Sequence, residues 1–185
     1  MKLFAACLLI LLIAIIAKTY LFSFRFQSPN DYAQTGPQFD LKKHLSGDIL
    51  SEGLIFGPNG KMTNSFVAKM VGKWDGDTGT LTEEFTYSNG KTQSRKWYLT
   101  LGPNNTFTAT ADDLVGVAQG IVSGSTVQLS YEIILPKDAG GHTLKATDWM
   151  YLTADGAIMN KSEMRKFGLK VAELIATMRK VDSTQ

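Results

Sequence analysis

Hydrophobic positions along this chain follow two patterns. Residues 3 to 17 (LFAACLLILLIAIIA) are apolar without a break, and apolar character returns after Lys18 and Thr19 through Tyr20, Leu21, Phe22 and Phe24. Counted from Leu3 to Phe24 the run is 22 residues, enough for a helix to cross a hydrocarbon core of roughly 30 Å. Further on, short stretches of strand-forming residues are separated by turn sequences: GPNGK at 57–61, DGDTG at 75–79, SNG at 88–90, GPNN at 102–105, SGS at 123–125, PKDAGG at 136–141 and ADG at 154–156. Turns this frequent mark hairpins. The strands expected between them lie near 48–56, 62–74, 79–87, 91–101, 105–111, 116–122, 126–135, 143–153 and 157–161. Every connection is too short for a crossover helix, so neighbours pair antiparallel in an up-and-down meander. Closing such a meander removes its exposed edges, so the expected fold is an all-β antiparallel barrel of about 8–10 strands.

One hairpin fixes its own register. If Asn89-Gly90 were a two-residue turn, Leu81 would pair with Tyr98 and neither face of the hairpin would be apolar. If Ser88-Asn89-Gly90 is a three-residue loop with Gly90 left-handed, Phe85 pairs with Gln93, Glu83 with Arg95 and Leu81 with Trp97. One face is then Leu81, Phe85, Tyr87, Trp97, Leu99 and Leu101, and a buried face selects this pairing. The same alternation on 143–153 aligns Leu144, Ala146, Asp148, Met150 and Leu152.

The tail allows two readings. Ser162 could cap one helical turn ending at Gly168, with 169–180 a last strand; alternatively Met164, Phe167, Val171, Leu174, Ile175 and Met178 form the stripe of a longer amphipathic helix.

These patterns divide the chain into a signal anchor or signal peptide (1–25), a Pro/Gly-rich linker (26–39) and a barrel domain (40–181). Cleavage wants small residues one and three before the cut, and Ala17 has Ile15 where one belongs, which favours an uncleaved anchor over a secreted form. The expected location is the inner membrane, single-pass through residues 3–24, with the domain outside the cytoplasm. Cys7, the only cysteine, lies within the apolar run, so the domain has neither a disulfide nor a thiol nucleophile. Setting aside Lys2, Lys18 and Arg25 leaves 16 basic residues against 17 acidic ones. Nucleic-acid binding needs a basic footprint that this balance does not provide.

The interior chemistry follows from the register. Glu83, Arg95 and Asp148 fall on apolar faces, where charges demand partners. With Phe85, Tyr87, Trp97, Tyr131 and Met150 as walls they form a candidate site for a lipid or other apolar small molecule. The alternative is a structural ion network in a filled core, belonging to a non-binding accessory barrel. Asp112-Asp113 reads as a turn or bulge, since adjacent residues on an extended chain point opposite ways, though paired acids also suit a lipid-modifying enzyme. His44 and His142 are the only histidines and neither sits in a ligand-spaced cluster, so no metal is expected. Nucleophile elbows and Gly-rich phosphate loops are missing, and no cofactor is expected. Gly72-Lys73-Trp74 resembles the glycine-x-tryptophan signature of lipocalins, but here a strand precedes it.

The ordered set GKWDGDTGTLTEEFTYSNG, SRKWYLT, ADDLVGVAQG, TDWMYL and NKSEMRKFG resembles the bacterial family of domain of unknown function 3833 over roughly residues 40 to 180. That resemblance implies a lipocalin-like barrel of the cell envelope, often in lipoprotein form, with no established activity. The residues carried over are Glu83, Phe85, Tyr87, Arg95, Trp97, Asp112, Asp113, Asp148, Trp149, Asn160, Phe167 and Gly168. Two departures are the lack of a well-placed lipidation cysteine and a tail, ELIATM, that is weakly strand-like.

Overall fold

The computed structural model describes residues 2–21 and 23–181. A helix, α1 (Lys2–Leu21), precedes the barrel, and a single helical turn, α2 (Leu41–His44), sits at one end of it. The barrel strands are β1 (Gly47–Phe56), β2 (Met62–Asp75), β3 (Thr78–Tyr87), β4 (Thr92–Leu101), β5 (Thr106–Thr110), β6 (Ala118–Ser123), β7 (Thr126–Ile134), β8 (Thr143–Leu152), β9 (Ile158–Lys166) and β10 (Leu169–Lys180). Each pairs antiparallel with its sequence neighbours, and β1 pairs with β10 from Ile49↔Lys180 to Phe56↔Glu173, which closes the sheet. The expected up-and-down barrel is therefore present, with ten strands. Among the described residues no helix is long and apolar enough to cross a membrane; the run counted in the sequence includes Phe22, which lies outside them.

The β3–β4 hairpin has the register that its apolar face demands: Phe85↔Gln93, Glu83↔Arg95 and Leu81↔Trp97. Gly90 takes φ +81, and its N–H donates to the Tyr87 carbonyl at 2.9 Å. A residue with a Cβ would be strained there.

The tail differs from both sequence readings of 162–168. No helix forms, and β9 runs on to Lys166. Phe167 and Gly168 then turn the chain with φ +51 and +80, and 169–180 is the closing strand. The reason is pairing: β8 and β10 supply partners on both sides of β9, so its backbone bonds are satisfied as a ladder. That outweighs the helical spacing of the apolar residues.

The end near α2 is plugged. Asp40 caps the turn by accepting from the Lys43 N–H at 2.9 Å, and Phe39, Leu41 and Leu45 are buried in the core. Gly72 lets this plug seat, because a Cβ there would lie 1.7 Å from the Leu45 carbonyl oxygen. Trp74 Nε1 donates to that same oxygen at 3.3 Å. The glycine and tryptophan of GKW thus fasten the plug near the far end of the second strand.

The stretch read as a linker lies along the barrel wall. Ser123 Oγ donates to the Pro29 carbonyl at 2.5 Å, and the Phe39 N–H donates to the Gly124 carbonyl at 2.8 Å. Tyr32 packs on Trp149 at 5.3 Å between ring centroids. Gln27 Oε1 accepts from the Tyr32 and Tyr151 hydroxyls, both at 2.6 Å. Trp149 points outward on β8 yet is only 1 % exposed, because this strap covers it.

Candidate functional site

Alternation along the strands sends Glu83, Phe85, Arg95, Trp97, Tyr131, Asp148 and Met150 to the lining of one interior cavity of about 150 Å³. Tyr87, the eighth residue expected there, faces the same way but stacks on Phe85 and donates to Gln93 Oε1 at 2.9 Å beyond the lining. Asn160 and Ser162 of β9 also line it. The sequence reading ended the ninth strand at 161 and missed Ser162; the alternation Ile158, Asn160, Ser162, Met164 is the signal that would have found it.

Glu83 and Arg95 stand opposite each other on the ladder, but they do not form the expected ion pair. Arg95 reaches Asp113 instead, with Nε to Oδ1 at 3.0 Å and Nη2 to Oδ2 at 2.7 Å. Asp113 gets there because 112–113 form a turn after β5, and the chain beyond folds along β7, with the Val115 N–H on the Glu132 carbonyl at 2.9 Å. Asp112 points out and is exposed. The turn expected at these aspartates is present, and it adds an inward carboxylate that strand alternation alone did not place.

The carboxyl of Glu83 accepts from Trp97 Nε1 at 3.2 Å. Burial pushes its pKa up to about 7, and the attraction of Arg95 and the Trp97 bond only partly oppose this. Asp148 is likewise raised by burial, while Ser162 across the ladder and Tyr131, whose hydroxyl donates to Oδ2 at 3.0 Å, temper it. Oδ1 of Asp148 has no hydrogen-bond partner, and neither has Oδ1 of Asn160. Tyr131 is raised well above the usual phenol value, by burial first and then by Asp148. Burial works against the charge on Arg95, but Tyr131, Asp113 and Glu83 more than offset it and hold the guanidinium charged. That guanidinium also lies 4.6 Å from the Trp97 ring centroid.

The other family-motif residues lie elsewhere. Trp149 is under the strap, and Phe167 and Gly168 form the β9–β10 turn, Phe167 being 93 % exposed. A wider groove of about 840 Å³ runs over the outer wall between Phe24–Gln27 and β7–β9. Of its cations, Arg165 faces Glu163 at 2.5 Å, Lys145 faces Glu132 at 3.8 Å and Lys166 Nζ lies 2.8 Å from His142 Nδ1, so the interior, with orphaned polar atoms, is the better candidate site. Among the described residues no group of His, Cys, Asp or Glu is placed to hold a metal ion.

Fold and site together define a closed ten-stranded barrel with a charged cluster buried beside an interior cavity. The model of the family described as "Protein of unknown function (DUF3833)" matches residues 18–180, and the chain belongs to that family. No curated protein matches the chain. Among solved structures it is similar to the S-type phycobiliprotein lyase CPES from Guillardia theta, with a TM-score of 0.57 at 7 % identity, covering 85 % of this chain and 99 % of that one. It is also similar to Rv2717c from M. tuberculosis, with a TM-score of 0.55 at 15 % identity over 80 % and 99 % of the two chains. A third, a protein of unknown function of the DUF3598 family from Nostoc punctiforme, gives 0.54 at 11 % identity, covering 79 % of this chain and 51 % of that one. These likenesses establish the fold.

Proposed function

We propose that the chain is a membrane-tethered envelope protein that binds a small, largely apolar molecule inside its barrel. The observation that carries this is the interior cavity, where apolar walls meet a few placed polar groups. At about 150 Å³ it is smaller than the roughly 300–1,000 Å³ of drug-sized pockets. It suits a small molecule or the end of a longer apolar chain, not a whole two-chain lipid.

The test is native mass spectrometry and thermal shift of the full chain with envelope lipid extracts and small apolar compounds. Retention of a compound with a raised Tm supports the reading, and loss of that gain in a Met150→Trp variant, which fills the cavity, places it. No retained compound and no shift across the screen would overturn it.

The tether rests on the apolar run from Leu3 to Phe24 in the sequence, and the extracytoplasmic placement of the domain on the same run. Full chain that stays with membranes after alkaline carbonate extraction fits an uncleaved anchor. Release to the supernatant with residues 1–25 removed would make it a secreted protein instead.

A non-binding accessory barrel is the second reading. It is favoured by the large interior side chains Phe66, Trp97 and Phe107, all buried in one continuous core.

A further inference from the structure

Charge inside the barrel is unbalanced. Glu83 and Asp148 line the cavity, Asp113 lies next to them, and Arg95 is the one cation among the described lining residues. Arg95 is already committed, through two hydrogen bonds to Asp113 and through the Trp97 ring. A carboxylate or phosphate on a ligand would find no free cation, and it would stand beside two buried acids. With both acids raised by burial, Glu83 to about 7, an anion would have to keep them protonated to sit beside them, whereas a cation lets them ionise.

Missing donors point the same way. Oδ1 of Asp148 and Oδ1 of Asn160 are buried acceptors on adjacent strands without a partner, and a buried acceptor left unpaired costs about 1–3 kcal/mol. Their last side-chain torsions are soft, so either oxygen can turn into the cavity. An ammonium group offers three donors and no acceptor. Its charge would also offset the burial of Glu83 and Asp148. The cavity, about 150 Å³, matches in size an engineered one that holds benzene, so the rest of the ligand is one ring or a short alkyl chain.

We infer that the barrel interior takes a small protonated amine on a short apolar body, its ammonium group held by Asp148 with Asn160 and Glu83. This rests on the reading of the interior as a binding cavity. Trp97 and Tyr131, packed edge to face at 5.4 Å, form part of the wall against which the body lies.

The test is isothermal titration calorimetry of the full chain in detergent at neutral pH with three probes that share one body: benzylamine, benzyl alcohol and benzoate. Benzylamine is expected to bind at least tenfold tighter than benzyl alcohol, with no heat from benzoate. Its binding should release protons, read as a dependence of the heat on the buffer's ionisation enthalpy. Asp148→Asn should cost benzylamine at least tenfold and leave benzyl alcohol within threefold; the wild-type series decides the matter if that variant does not fold. Equal or tighter binding of the alcohol or the acid overturns the amine while leaving the cavity reading intact. Silence from all three probes overturns the amine, and the cavity reading then stands or falls on the wider screen.

Discussion

Arg95 faces Glu83 across the β3–β4 ladder, yet it closes its two-pronged ion pair with Asp113 from the turn that follows β5. Removing one partner of a buried pair strands the other charge, at about 3–5 kcal/mol. The Asp113 side chain keeps 26 % exposure, so Asp113→Ala should fall at the low end, about 3 kcal/mol. Asp112→Ala, its exposed neighbour, should stay within about 0.5 kcal/mol. Urea unfolding of the two variants checks this, and equal effects would mean that the Arg95–Asp113 pair does not hold the turn.

Glu83 makes stability depend on pH. Its folded pKa, raised to about 7 from an ordinary 4.5, means that the native state holds a proton which the unfolded chain has lost. Between those values stability falls as pH rises, and it levels off above the folded pKa. The gap corresponds to about 3 kcal/mol. Asp148 is raised too and adds in the same direction. Glu83→Gln is neutral at every pH, so its curve should be flatter from pH 5 to 7 and should match or exceed wild type at pH 8. Urea midpoints against pH decide it; a variant that keeps the full wild-type slope would exclude Glu83 as the titrating group.

Much of the barrel was legible in the sequence because strands announce themselves through alternation and turns. The β3–β4 register was readable since only one pairing buries Leu81, Phe85, Trp97 and Leu99 together. Asp148 followed from the same rule applied to β8. What stayed hidden were contacts between distant segments. Asp113 reaches Arg95 only because a turn redirects it, and the 26–39 strap docks because Trp149 faces outward and needs a cover. Neither leaves a periodic mark in the residues concerned. The orphaned oxygens of Asp148 and Asn160 depend on rotamers, which no pattern of residue types encodes.

Gly72 tests the plug. A Cβ there would fall 1.7 Å from the Leu45 carbonyl oxygen, so Gly72→Ala must push α2 off the barrel end. Overpacking of this kind costs about 1–3 kcal/mol, and the Trp74 Nε1 bond to the same oxygen would be lost with it. Hydrogen exchange should speed up over 41–46 while the β7–β8 ladder stays protected. Unchanged exchange at the plug would show that the backbone absorbs the methyl group locally.

Phe167 is the position where the sequence most resists its own fold. It takes φ +51 at the first position of a two-residue turn and leaves its ring 93 % exposed. A left-handed conformation costs an ordinary L residue about 1–2 kcal/mol, and Asn-Gly is the pair that such a turn prefers. Burial gives the ring nothing in return; among the described residues the Lys166 ammonium lies 5.6 Å from the ring centroid, and an exposed contact of this type contributes about 0.5–1 kcal/mol at most. Phe167→Asn should therefore stabilise the chain by up to about 1 kcal/mol, read as a higher urea midpoint with an unchanged m-value. A loss of stability instead would mean that the ring is packed in the folded protein. A gain would show that the exposed ring has no folding role at this turn.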